Sequence, residues 1–83
     1  MDEMIGIIKT FAGSYVPTGF MACDGKELQT SQYAALFSIL GAKYGGDGIH
    51  TFALPDLRPN KDGWGYNAPM YIICVQGIYP PRD

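Results

Sequence analysis

Tyr44-Gly45-Gly46-Asp47-Gly48, followed closely by Thr51-Phe52-Ala53-Leu54-Pro55-Asp56-Leu57-Arg58, is the stretch on which the fold turns. Three glycines fall within four positions, ahead of a run of apolar and rigid residues. Glycine admits positive φ and lets one strand pack closely on another, whereas proline fixes φ and removes a backbone donor. No nucleophile–base pair and no ligand cluster lies in the stretch. It prescribes a backbone path, not a chemistry.

Upstream, Tyr33, Leu36, Phe37 and Leu40 recur at i, i+3, i+4 and i+7, one apolar stripe on a helix of about ten residues. Thr30 or Ser31 stands where an N-cap belongs, and Gly41 can take the left-handed position that ends the helix. Such a stripe is the face that packs on a sheet. Before it, Phe20 to Cys23, Asp24-Gly25 and Lys26 to Leu28 carry a hairpin signal, because Asp-Gly suits a type I′ turn. Ile5 to Phe11 reads as a strand and residues 12–19, with Gly13, Pro17 and Gly19, as a loop.

Downstream, Thr51 to Leu54 is a short strand stopped by Pro55, and residues 58–69 form a turn-rich, exposed loop. A terminal strand over residues 70–76 begins Met70-Tyr71-Ile72-Ile73-Cys74-Val75 and is apolar on both faces. Such a strand is central in its fold or covered on one side by a neighbouring subunit. In so small a domain the second option is favoured, with Tyr71, Ile72, Ile73 and Val75 as the candidate oligomer interface. Pro80-Pro81 ends the pattern in a conformation that cannot extend a sheet. The expected architecture is α+β: a single domain over residues 1–83 with short strands, a hairpin and one helix.

The chain has 83 residues, 47% hydrophobic and only 17% charged. A chain of this size buries roughly 60–65% of its unfolded surface. The surplus apolar content suggests a subunit interface, in which several copies complete a larger core. The net charge is −2 and the six Lys and Arg residues are scattered, so neither nucleic acid nor an anionic membrane is an expected partner. No apolar run approaches the ~20 residues that span a bilayer. The acidic start, Met1-Asp2-Glu3-Met4, lacks the basic region of a secretory signal. Either the protein is made and assembled in the cytoplasm, or a leader has been removed.

Cys23 and Cys74 lie 51 positions apart, which fits neither a redox CxxC nor a zinc set. They read as two buried reduced thiols, or as a single disulfide if the protein matures outside the cell. His50, the only histidine, has no Ser/Asp arrangement around it and reads as a polar surface residue. Asp24, Asp47 and Asp56 lack the alternating oxygen-ligand spacing of a calcium loop. The glycine run lacks the Gly-Lys-Ser/Thr ending of a phosphate loop. No catalytic residue, metal ligand or cofactor is indicated, and the chain is expected not to be an enzyme. Recognition chemistry could sit only in the 58–69 loop, where Trp64 and Tyr66 are flanked by Lys61, Asp62 and Asn67. Aromatic rings stack on sugars or partner side chains while the polar groups supply directional bonds. The alternative is that Trp64 folds back to plug the small core.

Taken together, Gly6-Ile7, Phe11-Ala12-Gly13, Pro17-Thr18-Gly19-Phe20, Cys23-Asp24-Gly25, Leu28, Ala35 to Gly41, the glycine run and Thr51 to Arg58 resemble the phage tail collar domain. That domain occurs in short tail fibres of T-even phages and in bacterial microcystin-dependent proteins. The resemblance covers about residues 5–58, and Tyr71 to Pro80 is similar to the closing segment of the microcystin-dependent group. It implies a trimeric, non-enzymatic domain on a phage tail or a phage-derived injection apparatus, in contact with other tail or fibre proteins. The family usually has Trp at Phe20, and continues after Leu57-Arg58 with Gly-Arg and a long glycine-rich stretch; here Pro59 follows. The receptor-binding tip of the phage fibres lies beyond the collar and has no counterpart in these residues.

Overall fold

The computed structural model describes residues 3–65 and 68–81. Its elements are β1 (Ile8–Phe11), β2 (Phe20–Ala22), β3 (Glu27–Gln29), α1 (Ala34–Leu40), β4 (Thr51–Ala53) and β5 (Met70–Cys74). They form two antiparallel sheets, a three-stranded one in the order β1-β5-β2 and a two-stranded one of β3 and β4. The α+β expectation holds. The core is built from Ile5, Cys23, Leu28, Leu36, Phe52, Leu54 and Ile73, with Tyr33, Phe37, Leu40 and Trp64 packed against it.

The hairpin at Asp24-Gly25 is not formed. β2 pairs with β5 and β3 with β4, so the Asp-Gly pair carries the chain from one sheet to the other. The Gly25 N–H donates to Pro55 O at 3.3 Å and the Leu57 N–H to Cys23 O at 2.9 Å. Asp24 Oδ1 accepts from the Lys26 N–H at 3.1 Å. The local turn preference is real, yet the strand on either side gains more from a distant partner with a buried face.

The glycine run explains itself against β4. Ala53 N–H donates to Gly45 O at 3.0 Å and Gly48 N–H to Thr51 O at 2.9 Å, so the loop runs along the edge of β4 that β3 leaves free. A Cβ on Gly46 would lie 2.5 Å from Phe52 Cα, and Gly46 also has φ +88°. No side chain fits there.

The helix is shorter than its pattern implies. Ser31 to Tyr33 form a turn on Gln29 O, which accepts from the Gln32 and Tyr33 N–H groups at 3.2 Å each, and α1 starts only at Ala34. Thr30 is not its cap: its hydroxyl donates to Ile49 O at 2.8 Å and its N–H to His50 O at 3.0 Å, tying the end of β3 to the glycine loop. The apolar stripe faces inward as expected, with Phe37 against Phe52 at 5.3 Å between ring centroids. Gly41, at φ 60°, closes the helix with an N–H bond to Phe37 O at 2.7 Å.

β5 is the central strand, with Ile73 opposite both Ile8 and Met21. Cys23 donates its N–H to Tyr71 O, which places Cys23 on the core face with Tyr71 and Ile73, and Cys74 on the other. A bond between the two thiols would have to cross the sheet, so the disulfide alternative fails; both cysteines are buried and free. The far face of β5 is closed at Cys74 by the chain itself. Cys74 Sγ lies 3.3 Å from Gln76 O, and a Cβ on Gly77 would sit 3.2 Å from that sulfur. Segments Glu3–Ile5 and Gly77–Tyr79 lie side by side, joined by Ile5 N–H to Ile78 O at 2.8 Å and Ile78 N–H to Glu3 O at 2.9 Å.

Candidate functional site

Arg58 shapes the first part of the 58–69 loop. Its Nε and Nη2 donate to Asp56 Oδ1 and Oδ2 at 2.9 and 2.8 Å, its N–H adds a 3.2 Å bond to Oδ1, and Nη1 reaches Lys61 O at 3.2 Å. This fork-on-carboxylate geometry is the directional form of an ion pair. The guanidinium, through its side-chain bonds first, brings the Asp56 carboxyl down to about 2. Asp56 is itself fixed by its backbone bridge to Asp24. Asn60 continues the turn, accepting the Asp62 N–H on Oδ1 at 3.0 Å and the Gly63 N–H on its carbonyl at 3.4 Å. Asn60-Lys61-Asp62-Gly63, with Asn first and Gly fourth, is the turn signal within the turn-rich 58–69 stretch.

Lys61 and Asp62 stand exposed at the tip of that turn. Trp64 does not join them. It turns back, half-buried, onto the core and lies 6.1 Å from the Tyr71 ring, as the core-plug alternative has it. Tyr66 and Asn67 lie outside the described residues. Of the candidate interface, Ile72 and Ile73 on β5 are buried within this one chain and Tyr71 is exposed, while Val75, just past the strand, is half-buried. The double burial of β5 is supplied by this chain itself and does not point to a neighbouring subunit.

The second polar constellation is the glycine loop. Asp47 Oδ1 accepts three N–H groups, from Ile49 at 2.8 Å, His50 at 2.7 Å and Thr51 at 2.9 Å, while its own N–H donates to Thr51 Oγ1 at 3.1 Å. These bonds, that from Thr51 foremost, hold its carboxyl well below the usual carboxylate range. Every acceptor position used is internal, which marks a loop brace. His50 is exposed, with Nδ1 3.6 Å from Asp47 Oδ2.

A pH dependence follows. Asp47 and Asp56 both have folded-state pKa values below the unfolded value of ~3.9. The stability they supply is present above that value and is lost as pH falls through it towards about 2. Thermal melts between pH 5 and pH 2 are expected to show this loss. Asp47→Asn, which keeps the Oδ1 acceptor but cannot titrate, is expected to flatten the slope. An unchanged slope would show that Asp47 is not braced in this way.

A cavity of about 280 Å³ opens between β2 and the start of α1, lined by Phe20, Met21, Tyr33, Leu36, Val75 and Gln76 among others. Tyr33 is the one titratable residue in its lining, so it holds no acid–base or nucleophilic set. Burial first, and then the neighbouring Asp24 carboxylate, pushes the Cys23 thiol up to about 11, which makes it unreactive at neutral pH. Among the described residues there is no group of three or more His, Cys, Asp or Glu that could hold a metal ion, and no helix long and apolar enough to cross a membrane.

The phage tail collar domain matches this chain over residues 6–60. The chain belongs to that family. Comparison with curated proteins finds no match. The matched span of the collar domain takes in β1 to β4, α1, the glycine loop and the Asp56–Arg58 fork. β5 lies outside it, yet β5 is the strand that joins β1 to β2. The collar domain is a structural module of a phage tail fibre, and it associates with other tail or fibre proteins.

Proposed function

We propose that this collar domain is an assembly module of a phage tail fibre or of a phage-derived contractile injection particle, and that it works as a homotrimer serving as a cap, connector or small tip. The family match carries this reading. Exposed apolar side chains support the self-association: Ile8, Val16, Ile49, Leu57 and Ile78 are each at least 39% exposed. Assembly takes place in the bacterial cytoplasm and the product resides on the virion tail or a released particle. Sedimentation equilibrium at micromolar concentration is expected to return three times the chain mass. A single species of 9.1 kDa would overturn the self-association.

A second reading, host attachment to a cell-surface glycan or protein, draws support from one observation. Lys61 and Asp62 are presented on a turn braced by Arg58 and Asn60, so little freedom is lost when they bind. Three copies on one particle would turn weak contacts into strong ones. Replacing both Lys61 and Asp62 with alanine is expected to abolish binding to target cells with mass and circular dichroism unchanged. Retained binding would reject the reading.

A further inference from the structure

Three Asp-Gly peptides occur in this chain, at Asp24-Gly25, Asp47-Gly48 and Asp62-Gly63. The pair carries a chemistry beyond turn formation. The glycine nitrogen attacks Cγ of the aspartate side chain: an N–C bond forms, a C–O bond breaks, and the carboxyl oxygen leaves as water with the amide proton. Water then reopens the cyclic imide. Attack at Cγ restores aspartate, whereas attack at the main-chain carbonyl carbon leaves the chain running through the side chain as isoaspartate. No oxidant or cofactor enters, and the mass returns to its starting value. Glycine favours the closure because it puts no Cβ in the way and its backbone rotates freely.

The fold treats the three pairs differently. In the glycine loop, ring closure has to break the N–H bonds that Asp47 Oδ1 accepts from Ile49, His50 and Thr51, and the 2.9 Å bond from the Gly48 N–H to Thr51 O. The same bonds hold the Asp47 carboxyl well below its usual range, which depletes the neutral form that loses water. Asp24 and Gly25 are half-buried where the chain passes from one sheet to the other. Asp24 Oδ1 accepts the Lys26 N–H at 3.1 Å, the Gly25 N–H donates to Pro55 O at 3.3 Å, and a Cβ on Gly25 would lie 3.2 Å from Asp56 Cβ. Asp62-Gly63 lacks these restraints. Asp62 is exposed, and its carboxylate has no hydrogen-bond or ion-pair partner among the described residues; only its N–H is engaged, on Asn60 Oδ1. The Gly63 N–H donates to Asn60 O at 3.4 Å, the longest of the three glycine bonds. Nothing lies within 4 Å of where a Cβ on Gly63 would be, so the backbone has room to turn.

We propose that Asp62-Gly63 is a spontaneous modification site, converting through the imide to isoaspartate in the folded protein, while folding protects the other two pairs. The chemistry stands apart from both functional readings, but its consequence falls on the second. Isoaspartate lengthens the main chain by one atom inside the Asn60–Gly63 turn and moves the free carboxylate onto Cα. The Lys61–Asp62 pair that the turn presents thus decays with the age of the particle.

The test is to age the folded protein at neutral pH and follow each Asp-Gly peptide by fragmentation mass spectrometry, which tells isoaspartate from aspartate by its main-chain fragments. A parallel sample in concentrated urea removes the fold and keeps the sequence. In the folded protein isoaspartate is expected to accumulate at Asp62 about 10-fold faster than at Asp24 or Asp47, because each of those must first give up two or more bonds. In urea the three rates are expected to converge. Asp62→Glu, whose longer side chain cannot close the same ring, is expected to form no such product at this position and to melt like wild type. Equal or faster reaction at Asp24 or Asp47 in the folded protein, or no isoaspartate at Asp62, would overturn the proposal. So would an excess at Asp62 that persists in urea, since local sequence and not the fold would then select the site.

Discussion

Ile73→Asp is expected to abolish the fold. Ile73 is fully buried, sits between Ile8 of β1 and Met21 of β2, and belongs to the core cluster. A carboxyl placed there has no basic partner in that cluster. Burying an unpaired carboxylate costs several kcal/mol even when the group protonates, and the packing of the isoleucine is lost with it. A domain of this size has ~5–15 kcal/mol in total. Ile72→Asp is expected to be nearly as damaging, although it faces the other way, because both faces of β5 are covered by the chain itself. Tyr71→Asp, at an exposed position on the same strand, is expected to melt within a few degrees of wild type. Circular dichroism melts decide the matter: a cooperative transition for Ile73→Asp near the wild-type temperature would mean that β5 is not the central strand.

Gly46→Ala is the second severe change, and the protein contains its own control. Gly46 and Gly65 both have φ +88°. At Gly65 a Cβ would meet nothing within 4 Å, whereas at Gly46 it would lie 2.5 Å from Phe52 Cα, 2.6 Å from Thr51 O and 2.8 Å from Phe52 N. Gly65→Ala therefore measures the conformational penalty alone, about 1–2 kcal/mol. Gly46→Ala adds a clash with backbone that cannot retreat without parting β4 from β3 or from Gly45. Overpacking of that kind costs about 1–3 kcal/mol more. Urea titration is expected to show a midpoint for Gly46→Ala well below that of Gly65→Ala. Equal midpoints would refute the close approach of the loop to β4.

These two positions also show what could be read from residues alone. Gly46 announced itself, because a glycine cluster before a strand signals close backbone contact whichever strand is involved. The 51–54 strand, the inward helix stripe and the strand beginning at Met70 were legible for a similar reason: each is a local pattern with a local cause. The pairing of strands was not. Asp24-Gly25 favours a turn, but whether β2 then meets β3 or β5 depends on burial summed over residues some 50 positions apart. Thr30 has the chemistry of a helix cap and spends it on the carbonyl of Ile49, a neighbour that only the folded loop supplies. The cover over the far face of β5 came from short end segments around Glu3 and Gly77 that carry no strand signature of their own. In the candidate binding loop the charged tip was visible by composition, while the return of Trp64 to the core and to the Tyr71 ring is a tertiary contact that no local pattern encodes.

The placement of β5 between β1 and β2 has a consequence for biosynthesis. Until β5 has been synthesised, β1 and β2 have no common partner and their ladders stay open. The nascent collar thus remains a set of unjoined parts until residues 70–74 have emerged and threaded between them. Any contact that depends on the finished sheet must wait for that moment, so it follows the emergence of β5 and not the appearance of the earliest strands.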